Sequence, residues 1–279
     1  MGSKQTPGMS GNRLSKEERR SAAREKARLL REQEERRAKR NRILIIVGIV
    51  AVIALVSLVI VKIVTSGNTT DTGSYDGKAR SAELANVGDD YGITIGKSGE
   101  ALPAPNEDLP NVGIFADLMC PHCVELERAS ADAYAKYIPE GQVSTVHYPV
   151  QIMGTDFSKY GTAALFYVAT FAPEQYEKFH DELFNRSYQI IIENSAEMPT
   201  AAEIADLAAK VGVPEDVVND LPASIVADDW QKEVEAATEK FRDAGWTGTP
   251  TVTIDGKESD AWTNGGVGAV FAEALESAK

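Results

Sequence analysis

Apolar positions along the chain fall into distinct regimes. From Ile43 to Val61 there are nineteen residues without a charge, and Ile63-Val64 extend the run past Lys62. At about 1.5 Å of rise per residue this length matches the ~30 Å hydrocarbon core of a bilayer. The run has no polar face, which argues against a helix packed on a globular core. Residues 43–64 are therefore predicted to form a single transmembrane helix. A cleaved signal peptide fits less well, because a 42-residue arm precedes the run and no small-x-small cleavage site follows at Thr65-Ser66-Gly67. Residues 65–90 are rich in Gly, Ser, Thr, Asn and Asp, a composition that predicts a flexible linker, with the folded domain, 91–279, opening at Tyr91.

Beyond that point apolar residues alternate between strand and helix spacing. Tyr91 to Ile95, Val112 to Ala116 and Val143 to Tyr148 read as strands, and a helix is predicted from about Pro121 with Leu126 and Ala129 inward. Proline is tolerated in a first helical turn because its missing N–H would have no partner there. Strand, helix and strand in this order make a βαβ unit with a right-handed crossover. A helical section follows at Tyr160 to Phe171 and Gln175 to Phe184, with Pro173 between them. Thr200-Ala-Ala-Glu203 is a capping box opening a helix with Ile204, Leu207, Ala208 and Val211 on one face, stopped by Gly212 and Pro214. Asp228 to Arg242 repeats the pattern through Trp230, Val234, Ala237 and Phe241. The chain then returns to a strand over Thr249 to Ile254, a hairpin turn at Asp255-Gly256, and a closing helix over Val267 to Ser277.

Charge divides the chain. Residues 1–42 carry 14 Lys plus Arg against 6 Glu, whereas the whole protein has a net charge of −13. Basic residues crowd the amino-terminal flank of the apolar run, so the positive-inside rule places the 1–42 arm in the cytoplasm and the acidic domain outside the cell membrane, where protein disulfides persist. The arm reads as a solvated charged helix rather than a nucleic-acid contact.

The candidate chemistry lies in Cys120-Pro121-His122-Cys123, which contains the only two cysteines of the chain. A thiol attacks as its thiolate, and the free N–H groups and dipole of a helix amino terminus stabilise negative sulfur. Cys120 at that terminus is the expected attacker, and Cys123, one turn in, the resolving thiol. His122 is expected to turn an N–H or a positive charge toward Cys120. Asp117 is read as a loop or capping residue, Glu125 and Glu127 as a solvated helix face, and His147 and His180 as surface histidines in separate elements that give no zinc site. No Gly-rich phosphate loop or serine nucleophile elbow is present.

The motif after a strand, the helical section, and Gly248-Thr249-Pro250 opening a late strand together resemble the DsbA-like branch of the thioredoxin superfamily. The resemblance covers Tyr91 to Lys279. It implies an α/β thioredoxin-like fold with a helical insertion at about 156–245. It also implies a cis proline at Pro250 facing the disulfide, with Thr249 and Pro250 presenting backbone groups to an extended substrate. Ile114 stands where a buried acid often occurs in relatives. The implied activity is that of a membrane-anchored thiol:disulfide oxidoreductase, mainly an oxidase acting on exported proteins with free thiols. Its only redox group would be the Cys120–Cys123 disulfide, with no separate cofactor and no metal, and its reoxidant a membrane partner of the DsbB or VKOR-like type. A reductase or isomerase, or a binding module with a structural disulfide, stays open at this point.

Overall fold

The computed structural model of the protein describes residues 75–279. The expected arm at 1–42, the transmembrane run at 43–64 and the first part of the linker lie outside these residues. Among the described residues no helix is long and apolar enough to cross a membrane.

Six strands, β1 (Ile93–Ile95), β2 (Ala101–Leu102), β3 (Asn111–Ala116), β4 (Ser144–Pro149), β5 (Thr251–Ile254) and β6 (Lys257–Glu258), form one sheet in the order β2-β1-β4-β3-β5-β6. β3 and β4 are parallel, joined by helix α1 (Pro121–Glu140), and the remaining pairings are antiparallel. The βαβ reading thus locates the centre of the sheet, with Ile114 opposite His147 on one side and Val252 on the other. Asp255 and Gly256 both have positive φ, 49° and 76°, and close a two-residue hairpin between Ile254 and Lys257.

Five helices stand between β4 and β5: α2 (Asp156–Phe171), α3 (Tyr176–Ile191), α4 (Ala201–Lys210), α5 (Glu215–Ile225) and α6 (Asp228–Asp243). A final helix, α7 (Gly266–Ser277), packs on α1. α2 is the spine of the helical layer, with every residue from Gly161 to Ala169 buried. Gly161 has a specific reason to lack a side chain: a Cβ there would come within 2.2 Å of Leu118 Cδ1, two residues ahead of Cys120. The predicted capping box of α4 is present, with Glu203 N–H donating to the Thr200 hydroxyl at 3.2 Å and Thr200 N–H to the Glu203 carboxylate at 2.8 Å.

Two elements differ from the sequence reading. Helix α5 follows Pro214 and contains Pro222, and both prolines hide it from a propensity argument; its stripe of Val217, Val218, Leu221 and Ile225 is buried and overrides the internal proline. The described part of the expected linker, 75–90, is bound along the helical layer. Arg80 pairs with Asp220 at 2.8 Å and Asp216 at 3.2 Å and lies over the Phe171 ring, its backbone N–H donates to Ser224 Oγ, and its carbonyl accepts from the Trp230 indole at 2.7 Å. Ala82 N–H donates to Asp229, and Asn86 to the Ala169 carbonyl. Composition concealed this strap because the partners are side chains far away in sequence, not neighbours that would leave a local pattern.

Candidate active site

The motif begins where β3 ends. Cys120 is the N-cap of α1, with extended backbone (φ −84°, ψ 118°), and Pro121 follows in the first turn. Its N–H donates to the Asp117 carbonyl at 3.0 Å, which closes the tight turn that aims α1. Cys120 retains 5% of its surface and Cys123 none, so a reagent approaching the pair meets Cys120 first. Both cysteines are free thiols here.

Across from the motif, the Thr249–Pro250 peptide is cis, and the Thr249 carbonyl lies 3.1 Å from Cys120 Sγ, accepting from it while Cys120 holds its proton. The structure therefore brings together Cys120, Pro121, Cys123, Thr249 and Pro250 from sequence positions 129 residues apart. The buried Thr249 hydroxyl closes no hydrogen bond.

The two thiols are driven in opposite directions. Donation from the Cys123 thiol, helped by Thr249 and the backbone N–H groups of Cys123 and His122, outweighs burial and brings Cys120 down to about 6. Burial first, and the neighbouring Cys120 second, push Cys123 well above the ordinary thiol range. Cys120 is thus a thiolate at neutral pH and Cys123 a thiol that keeps its proton. As the pH falls through about 6 the Cys120 anion is lost, and with it both nucleophilicity and the stabilisation of the reduced protein. In the reduced chain, thiolate ultraviolet absorbance and alkylation rate should fall together with a midpoint near 6; a midpoint in the ordinary thiol range would contradict this arrangement.

His122 departs from expectation. Its ring is exposed and its Nδ1 lies 3.2 Å from Glu125 Oε2, so the side chain is paired away from the sulfur. Its contribution to Cys120 runs through its backbone N–H. The i,i+3 spacing of His122 and Glu125 on α1 explains the pairing.

Two acidic residues carry more than the sequence suggested. Asp117 is fully buried, and its carboxylate accepts from Met119 N–H at 2.8 Å, Ile152 N–H at 2.7 Å, Met153 N–H at 2.9 Å and the Ser158 hydroxyl. It is a local cap, as read, but also the tie between the loop before the motif and the loop that opens the helical insertion. Glu127 is buried, not solvated, and so are His147 and His180. For Glu127 a signal was present: Cys123, Glu127, Ser130 and Tyr134 follow one helical stripe whose other members are buried.

Beside the motif a cleft of about 430 Å³ is lined by His122, Leu126, Ala129 and Trp262. On the far face of the sheet Phe115 stacks on Tyr148 at 4.2 Å and meets Phe241 of α6.

A paired-cysteine centre at a helix amino terminus, faced by a cis X-Pro loop on a central sheet, defines a thioredoxin-fold redox domain. The chain belongs to the thioredoxin family, whose pattern matches residues 106–267. Among solved structures it is similar to MdbA, a thiol-disulfide oxidoreductase from Actinomyces oris, at 22% identity over 70% of this chain and 89% of that one, with a TM-score of 0.59. Oxidised BdbD from Bacillus subtilis matches at 18% identity over 73% of this chain and 98% of that one, TM-score 0.54. MdbA from Corynebacterium diphtheriae matches at 19% identity over 76% of this chain and 100% of that one, TM-score 0.51. These likenesses establish the shared fold. The comparison with curated proteins found no match.

Proposed function

We propose that this chain is a thiol:disulfide oxidoreductase that works mainly as an oxidase, introducing disulfides into exported proteins. The observation that carries the reading is the opposed bias of the two thiols, with Cys120 lowered to about 6 and Cys123 raised. A disulfide is a strong oxidant when its reduced form is stabilised, and a stabilised Cys120 thiolate does that. Two of the similar structures carry the description thiol-disulfide oxidoreductase, which agrees in class.

In the forward step a substrate thiolate attacks Cys120 of the Cys120–Cys123 disulfide. The intramolecular S–S bond breaks, and Cys123 leaves with the electron pair and takes up a proton, as its raised affinity for protons favours. A second substrate thiolate then attacks the substrate sulfur of the mixed disulfide. Cys120 departs as the more stable thiolate, and two electrons have passed from the substrate dithiol to the cysteine pair. The backbone around Thr249 and Pro250 lines the place where an extended substrate segment pairs beside Cys120.

Of the further parts of this reading, the membrane anchor rests on the apolar run of the sequence and the reoxidant on the family resemblance alone. The transmembrane run at 43–64 holds the domain on the outer face of the cell membrane, and a quinone-linked membrane partner of the DsbB or VKOR-like type reoxidises the pair. The experiment that tests the direction of electron flow is equilibration of the full chain with defined ratios of reduced and oxidised glutathione. The expected result is that Cys120–Cys123 stays reduced at ratios that leave ordinary structural disulfides intact. A strongly reducing equilibrium would assign the protein to disulfide reduction or isomerisation instead.

A further inference from the structure

The chain has three histidines, and the two outside the motif are buried against each other. His147 comes from β4 and His180 from α3, and their rings stack at 4.2 Å with 25° between planes. Neither ring nitrogen of His147 has a hydrogen-bond partner, and the hydroxyl of neighbouring Tyr176 has none either. Glu127 of α1 lines the same interior, and its carboxylate accepts from the Tyr134 hydroxyl at 3.4 Å.

The charged and titratable groups around this core come from three elements. α1 supplies Glu127, Tyr134 and, at the rim, Arg128, whose guanidinium lies over the Tyr188 ring. β4 supplies His147, and α3 supplies Tyr176, Glu177, His180 and Asp181. Glu100, after β1, bears on Glu177. β3 and α2 contribute the uncharged Ile114 and Thr162. A cleft of about 390 Å³ lined by Glu127, Glu177 and Asp181 connects the cluster to solvent and gives protons a route.

Two imidazolium rings stacked at this distance in a poorly polarisable interior repel strongly, so the pair holds one charge at most. Asp181 lies 3.9 Å from His180 Nδ1, whereas nothing accepts from His147. Burial pulls His180 downward, but Asp181 and Glu127 carry it above its ordinary value; burial and then His180 hold His147 well below. Burial pushes the Glu127 carboxyl up to about 7.

We propose that Glu127, His147 and His180 form a proton-compensating cluster that keeps the junction of β4 with α1 and α3 equally firm from neutral to mildly acid surroundings. When the surroundings acidify, Glu127 accepts in the folded protein the proton that stacked, partnerless His147 refuses.

The signs follow from linkage. Below about 6.5 the unfolded chain protonates the His147 imidazole and the folded chain does not, so this residue alone makes stability fall with pH. Glu127 does the reverse: its contribution is fully present below the unfolded value of 4.5 and is lost as the pH rises through about 7. Between those limits one proton opposes the other. His180, charged in both states at acid pH, acts only above that interval.

The test is reversible urea unfolding of the detergent-solubilised full chain between pH 6.5 and 5, with the histidine ring-proton signals followed by NMR in the wild type. Glu127→Gln keeps shape and an acceptor for Tyr134; His147→Phe keeps an aromatic ring on His180. Relative to wild type, the folding constant of Glu127→Gln should fall by up to about tenfold per pH unit on acidification, and that of His147→Phe should rise by a similar factor. The wild-type His147 signal should not move over the interval. Variant profiles parallel to wild type, or a His147 signal titrating near its ordinary value in the intact fold, would overturn the proposal. Should His147→Phe fail to fold, Glu127→Gln and the wild-type signal decide the matter.

Discussion

Replacing Cys123 by Ala should leave substrate proteins covalently attached to Cys120 in cells. In this variant the Cys120 thiolate attacks an existing substrate disulfide and displaces one substrate sulfur as thiolate. With no Cys123 to attack the resulting mixed disulfide the adduct loses its intramolecular exit, and dithiol oxidation, which needs the Cys120–Cys123 disulfide, should drop by at least about a hundredfold. Cys120 is then the only cysteine of the chain, so the adducts should form there alone. Removal of Cys123 also removes the largest influence that lowers Cys120, so the remaining thiol should titrate above 6. Non-reducing electrophoresis followed by reduction reads the adducts directly. Their absence would turn the reading toward a binding module with a structural disulfide.

Asp117→Ala should be the most destabilising single change near the site, at about 3–5 kcal/mol. The substitution leaves the N–H groups of Met119, Ile152 and Met153 and the Ser158 hydroxyl without the acceptor they share in a fully buried place. Asp117→Asn should recover only part, because its amide oxygen can accept but its NH2 faces donors. Equilibrium urea unfolding checks both, and a loss below about 1 kcal/mol for the alanine variant would mean that water replaces the carboxylate without cost.

The sheet and the motif were legible in the sequence because each leaves a local mark: period-two apolar strands, Pro121 in a first turn, and Asp255-Gly256 where a two-residue hairpin needs positive φ; that Thr249-Pro250 faces the motif was implied by the family resemblance, not by any local pattern. What escaped was set by distance along the chain. Asp117 finds Ile152, Met153 and Ser158 at separations of 35 to 41 residues, which no local pattern announces. His147 and His180 lie on different elements, and only their packing shows that two residues read as surface groups share one interior. Position inside the motif made His122 a natural donor to the thiolate, but Glu125, one turn along α1, takes its ring at 3.2 Å. Glu127 shares a helical stripe with buried Cys123, Ser130 and Tyr134, and that periodicity outweighs its charge.

The binding of residues 75–90 to the helical layer redraws where an autonomous domain can start. A polypeptide begun at Tyr91 would lack the carbonyl that holds the indole N–H of Trp230, a side chain otherwise sealed from solvent, and the guanidinium set between Asp216 and Asp220. A piece that keeps both begins no later than Arg80, and one that also keeps the Tyr75 hydroxyl, which donates to Asp206 on α4 at 2.7 Å, begins no later than Tyr75.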